Sequence, residues 1–254
     1  MRNGKSLTTF LLLCLLICTS ISAIAMRTDT SIFDANKLLA RTINIGYTID
    51  DIGEPQAHLL TAIGLQKIKE AGFTAVRLPM RWVTGMAADS PYTIHPAYLK
   101  KVDGIIAKAI SLNLAIIIDN HADDQLMSKP EAYKARFISL WDQLSEHYKA
   151  YPQQVMFELM AEPNGMLDRF WNSYLAEALT IVRKHNPTRP VIIGPGFYNN
   201  AQQIMQLELP DADRHIIVTF HQYAPLKIYH AGRAVVPDGQ TERMAGHHLA
   251  LTRR

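Results

Sequence analysis

"QVMFELMAEP", residues 154–163, is the stretch that decides the fold. Gln154–Met160 is a mostly apolar run too short for a helix, as expected of a strand buried on both faces. It runs into a loop at Pro163, and Glu162 stands where the strand ends. Glu158, Met160 and Glu162 share one parity, so all three are expected to face the same side. A carboxylate on a buried face needs a partner. For Glu158 the expected partner is a structural arginine on a neighbouring strand. Glu162, one step from solvent, is the candidate for chemistry.

Working outward, the chain alternates between strand-like and helix-like segments. "TINIGY" (42–47), "FTAVRLP" (73–79), "LAIIIDNH" (114–121), "RPVIIGP" (189–195) and "HIIVTF" (215–220) read as strands. "HLLTAIGLQKIKEAG" (58–72) is amphipathic and stops at Gly72, and "HPAYLKKVDGIIAKAISLN" (95–113) carries Pro96 near its start. "SKPE" (128–131) has the form of a capping box opening a helix to about Ala150. "MLDRFWNSYLAEALTIVRKHN" (166–186) is a further helix, and a short one is expected near 200–207. About six strand–helix units result. An open doubly wound sheet and an eight-fold barrel both fit this alternation, and no Gly-rich loop follows the first strand to favour a dinucleotide fold.

The polar residues favour the barrel. Arg77, His121, Glu162, and the pair His221 and Tyr223 lie at or just past the C-terminal ends of four different strands. A barrel gathers those ends on one face, where barrel enzymes do their chemistry; an open sheet would spread them along a crevice. Trp82 and Tyr198, just past strand ends, are candidate aromatic platforms for a ligand. Trp141 and Trp171 sit at core spacing on helices.

"AVRLPMRW", "IIIDNH", "FELMAEP" and "FHQY" together resemble, in order and spacing, the signatures of glycoside hydrolase family 5, the cellulase family A. The resemblance runs from about residue 42 to about residue 236. It implies a (β/α)8 TIM barrel and retaining hydrolysis of β-linked glucans or mannans, with a β-linked polysaccharide or oligosaccharide as partner and no cofactor or metal. It implies Glu162 as general acid/base and Arg77 as support for the nucleophile carboxylate. His121 would line the sugar site, and His221 and Tyr223 would lie beside the nucleophile.

Retaining hydrolysis asks for two carboxyl groups about 5–5.5 Å apart. The acid must keep its proton near neutral pH, which burial and a second carboxylate both favour. Two departures from the family pattern follow. Ala161 stands where the family has the asparagine that bonds the sugar 2-hydroxyl, with Asn164 just beyond the motif. The family's nucleophile glutamate, due at the tip of a seventh strand, has no counterpart; Glu242 follows "GQT" rather than an apolar run. The sequence therefore reads as an incomplete barrel, truncated before its seventh strand. The alternative to a secreted endoglucanase-like hydrolase is a catalytically inactive carbohydrate-binding remnant. A metal-dependent barrel hydrolase is disfavoured, since no paired histidines mark the first strand and "GHH" (246–248) has no third ligand nearby.

The N-terminus has the form of a secretory signal peptide over residues 1–25, followed by a barrel domain over 26–254. Arg2 and Lys5 make a positive start, "LTTFLLLCLLIC" an apolar run, and "AIA" (23–25) a cut site. Cleavage would remove both cysteines, Cys14 and Cys18, leaving no thiol for a disulfide or metal site. With formal net charge only +3 before cleavage, no field argues for nucleic acid or a membrane surface. A secreted or periplasmic location is expected.

Overall fold

The structure is a computed structural model describing residues 31–45, 60–222 and 248–252. Residues 1–25, expected to be a signal peptide, and Tyr223 and Glu242 lie outside the described residues. Strands β1 (Thr42–Asn44), β2 (Ala75–Met80), β3 (Ala115–Asn120), β4 (Val155–Glu158), β5 (Val191–Ile193) and β6 (Ile216–His221) pair in sequence order, every pair parallel. Between them run α2 (Ala62–Glu70), α3 (Pro96–Ser111), α4 (Asp124–Ser128), α5 (Pro130–His147) and α6 (Trp171–His185), and α1 (Ile32–Leu38) precedes β1. This is an incomplete (β/α)8 barrel, a curled half-barrel of six parallel strands.

Side-chain parity separates two cores. Val76, Leu78, Ile116, Ile118, Val155, Phe157, Val191 and Ile193 face outward and pack under the helices. Ala75, Ala115, Ile117, Met156, Ile192 and Ile217 face inward and meet one another together with Ile32 and Ala35 of α1. An inner face whose members from β2 to β6 touch requires curvature, which an open sheet lacks. Helix α1 covers the N-terminal end of that inner space.

Tryptophans fix the opposite, C-terminal end. Trp82, Trp141 and Trp171 are each almost fully buried. Their indole N–H groups donate to Asp119 O (3.2 Å), Leu159 O (3.1 Å) and Gly194 O (2.8 Å), at or just past the ends of β3, β4 and β5. Each bond gives a buried indole N–H its partner on a strand-end carbonyl.

Helix ends largely follow their sequence signals. Thr61 Oγ1 accepts from Gly64 N at 3.1 Å to start α2, and Gly72, at φ +84°, takes the left-handed turn just past its end. Pro96 opens α3. The capping box is a correction. Ser128 ends α4, its hydroxyl donating to Asp124 O, while α5 starts at Pro130 with no side-chain cap. Lys129, not Ser128, holds the N-cap position before Pro130, and the Ser128 hydroxyl is already committed to the end of α4.

The far edge of the sheet is paired. His248–Thr252 forms β7, antiparallel to β6, with His248 beside His221 and Thr252 beside Ile217. It covers the edge but is not the parallel seventh strand of a closed barrel.

Candidate active site

Two layers of polar groups stand on the inner face. The lower is a buried ion cluster. Asp119 and Glu158 are in register on β3 and β4, and Arg77 reaches both from β2. Arg77 Nε donates to Glu158 Oε2 at 2.6 Å and Nη2 to Oε1 at 2.9 Å, a bidentate pair. Nη2 also lies 2.7 Å from Asp119 Oδ2, and Nη1 donates to Asn44 Oδ1 at 2.9 Å. Burial opposes the charge on Arg77, but Asp119 and Glu158 outweigh it and hold the guanidinium more firmly protonated than usual. Burial pushes the Asp119 carboxyl up, against the pull of Arg77 and His121. Glu158 thus has the structural arginine expected of it.

The sequence groups Arg77 with the strand-end residues of the mouth; the structure places it in this buried cluster. Its side chain is 2% exposed and is committed to residues below the mouth. Trp82 is corrected too. It is fully buried, edge-on to Tyr98 at 5.6 Å, and cannot offer its face to a sugar.

The upper layer is partly open. His121 is 19% exposed, its Nδ1 2.9 Å from Asp119 Oδ2, a bond that orients the ring and places a neutral imidazole's proton on Nδ1. Glu162 is 28% exposed, and its Oε1 lies 2.6 Å from Nδ1 of the buried His221. The far ring nitrogen of His221, Nε2, lies 3.3 Å from Asn199 Nδ2. The structure therefore brings Glu162 and His221 together at the mouth, with His121 above the ion cluster.

Backbone strain gathers at the same rim. Ala122, after His121, has φ +53°, and Glu162 itself has φ +51°. Phe197, Tyr198 and Asn199 are three successive non-glycine residues at φ 55°, 64° and 55°. A left-handed conformation costs such residues about 1–2 kcal/mol each, and strain of this kind tends to collect at functional sites. Tyr198 is exposed in this turn, and its N–H donates to Pro163 O at 3.0 Å, beside the Glu162 loop. Asn164 folds back instead of reaching outward, its amide donating to Glu162 O at 2.7 Å and contacting Met127 Sδ.

Asp119 and Asn199 were not singled out from the sequence. Asp119 had a usable signal: it has the parity of His121 and falls in a buried run beside Arg77. Asn199 had none, because a left-handed turn of ordinary residues leaves no periodicity. Among the described residues no cluster of three or more His, Cys, Asp or Glu side chains could hold a metal ion. A cavity of about 990 Å³ opens elsewhere, between α6 and residues 207–215, lined in part by Leu179, Arg183, Leu207 and Asp213. None of the rim residues lines it, so the chemistry is not there.

Strand-end acid–base groups on the C-terminal face of a curled parallel sheet are the arrangement of (β/α)8 barrel enzymes. The sequence profile of Cellulase (glycosyl hydrolase family 5) matches residues 50–248, and the chain belongs to that family. It is 36% identical over 166 residues to Endoglucanase H of Acetivibrio thermocellus, covering 65% of this chain and 18% of that protein. With Endoglucanase B of Clostridium cellulovorans it shares 28% over 206 residues, covering 72% of this chain and 47% of the relative. The chain thus spans less than half the length of either. The crystal structure of endoglucanase Cel5A from Thermotoga maritima superposes with a TM-score of 0.77 at 36% identity, covering 82% of this chain and 68% of that one. Cel5A structures also include complexes with cellobiose and with mannotriose.

Proposed function

We propose that this chain is a secreted β-glycanase of the endoglucanase type in which Glu162 is the general acid/base of a retaining reaction. The observation that carries the proposal is the 2.6 Å contact between Glu162 Oε1 and His221 Nδ1 at the mouth of the half-barrel. It sets a carboxyl group at the strand-end position a barrel uses for catalysis, oriented by an imidazole and partly open to solvent. Glu162 would protonate the glycosidic oxygen as the C–O bond breaks and the electron pair leaves with that oxygen. Exposed Tyr198 is the aromatic face left for sugar once Trp82 is buried. The cellobiose and mannotriose complexes of the Thermotoga maritima relative support a β-linked gluco- or manno-oligosaccharide as substrate.

The second carboxylate of the reaction is not supplied by the described residues in this proposal. Asp119 and Glu158, on the inner face, are buried and bound to Arg77, which leaves neither in position to attack a sugar carbon. Those commitments, with Ala161 in place of the asparagine, favour a second reading: a protein that holds β-glucan and cleaves it poorly.

Reducing-sugar release from soluble cellulose and mannan, by the purified chain and by Glu162→Gln, separates the two. Slow release that falls by about 10²–10⁴-fold in Glu162→Gln supports the acid/base role. Oligosaccharide binding without release supports the second reading. Rapid release lost in the variant would place a nucleophile outside the described residues, with Glu242 the first to substitute. Export is tested by N-terminal sequencing of secreted material, expected to begin at Met26.

A further inference from the structure

The strained turn at 197–199 ends in a buried side chain with one visible task. Asn199 is fully buried, and its Nδ2 lies 3.3 Å from His221 Nε2. Its Oδ1 has no hydrogen-bond partner among the described residues. The amide lies where a side chain at Gly194 would be: a Cβ there would meet Asn199 Oδ1 at 2.4 Å and Cγ at 2.5 Å. The Gly194 carbonyl is fixed by the Trp171 indole. The turn is tied down from both sides, Phe197 N donating to Asp168 Oδ1 at 2.7 Å and Tyr198 N to Pro163 O at 3.0 Å. Pro163 directly follows Glu162, so the turn is anchored to the loop that carries the acid.

We propose that Asn199 is a positioning residue whose amide N–H, donated to His221 Nε2, keeps the imidazole neutral with its single proton on Nδ1. This deepens the acid/base reading of Glu162 and rests on it. With Nε2 accepting from the amide, Nδ1–H donates to Glu162 Oε1. That oxygen then accepts whether Glu162 is protonated or not, so the acid's transferable proton belongs on Oε2. A second proton on Nε2 would oppose one N–H to another. The imidazole therefore does not take Glu162's proton, and Glu162 remains an acid. The charged groups on the elements around His221 are Glu162, Asp168 beneath the turn, and the Arg77–Asp119–Glu158 cluster, in which Arg77 feels the Glu162 charge. β7 brings His248 into register with His221 along the backbone.

The test reads the imidazole directly and needs no turnover. Long-range ¹H–¹⁵N spectra of the full chain labelled at histidine report which ring nitrogen holds the proton, and His221→Gln identifies the signal. At neutral pH the expected result is a protonated Nδ1 and a bare Nε2. Asn199→Gly removes the amide and relieves the positive φ, so it should fold at least as well as the parent while Nε2 gains a proton and the His221 pKa rises by roughly one unit. Asn199→Asp, nearly isosteric, should raise it further, because a carboxylate stabilises the imidazolium. Gly194→Ala should shift His221 in the same direction by displacing the amide. A protonated Nε2 in the neutral parent imidazole, or a His221 titration unchanged in both Asn199 variants, would overturn the proposal. Absence of hydrolysis with the expected spectra would instead break the acid/base reading and leave the tautomer assignment standing.

Discussion

The two polar layers of the half-barrel are built from neighbouring positions and behave oppositely. Glu158 and Glu162 lie four residues apart on one segment with the same parity. Glu158 is 1% exposed and held by Nε and Nη2 of Arg77; Glu162 is 28% exposed and touches a histidine. The lower carboxylate is neutralised by a permanent cation, so its charge is fixed. The upper one is partly open to solvent and touches an imidazole in place of a guanidinium. Depth along the barrel axis, more than residue type, separates a buried, ion-paired carboxylate from a partly open one here.

Breaking the lower layer should have the largest effect on stability. Arg77→Met leaves Asp119 and Glu158 buried without their cation, and should lose about 3–5 kcal/mol in denaturant unfolding. Loss below about 1 kcal/mol would show that the cluster is not structural.

A smaller effect is expected in the pH dependence of stability. Burial raises the folded-state pKa of Asp119 above its ordinary value of about 3.9. The folded chain then holds that proton in a window where the unfolded chain has released it. The stability this group contributes is complete below the ordinary value and is lost as pH rises through the folded value. Unfolding measured upward from about pH 4 should show this decline in the parent and a flatter profile in Asp119→Asn. An unchanged decline would assign it to another group.

The smallest effects distinguish the aromatics. Trp82→Phe removes the donor to Asp119 O and should lose about 1 kcal/mol of stability while leaving oligosaccharide affinity unchanged. Tyr198→Ala should do the reverse, with stability near that of the parent and affinity several-fold weaker in calorimetry. If Trp82→Phe weakens binding as much as Tyr198→Ala, the assignment of platforms is wrong.

Much of this was legible in the sequence. Short apolar runs separated by amphipathic helices marked the parallel strands, and polar residues at strand ends pointed to a barrel mouth. The parity of Glu158 foretold a buried ion pair. What was not legible was depth and turn geometry. Trp82 reads the same whether its ring faces a cleft or a strand-end carbonyl. Arg77 has the inward parity of a site residue but sits one layer too low to meet substrate. Ser128 has the pattern of a cap, yet Pro130 starts the helix without it. The left-handed turn at 197–199 is invisible because Phe197 and Tyr198 disfavour that conformation, though Asn199 tolerates it; tertiary contacts to Asp168 and Pro163 hold it there.

The separation of the two layers is tested most directly by unfolding Glu158→Gln and Glu162→Gln side by side. Both changes keep shape and remove one charge. In the lower layer the new amide turns an N–H toward the Arg77 guanidinium and leaves a buried cation short of a partner; in the upper layer the side chain is partly solvated and His221 still finds an oxygen. The account predicts a loss of about 3 kcal/mol or more for Glu158→Gln and less than about 1 kcal/mol for Glu162→Gln. Equal losses, or a larger loss at Glu162, would contradict it.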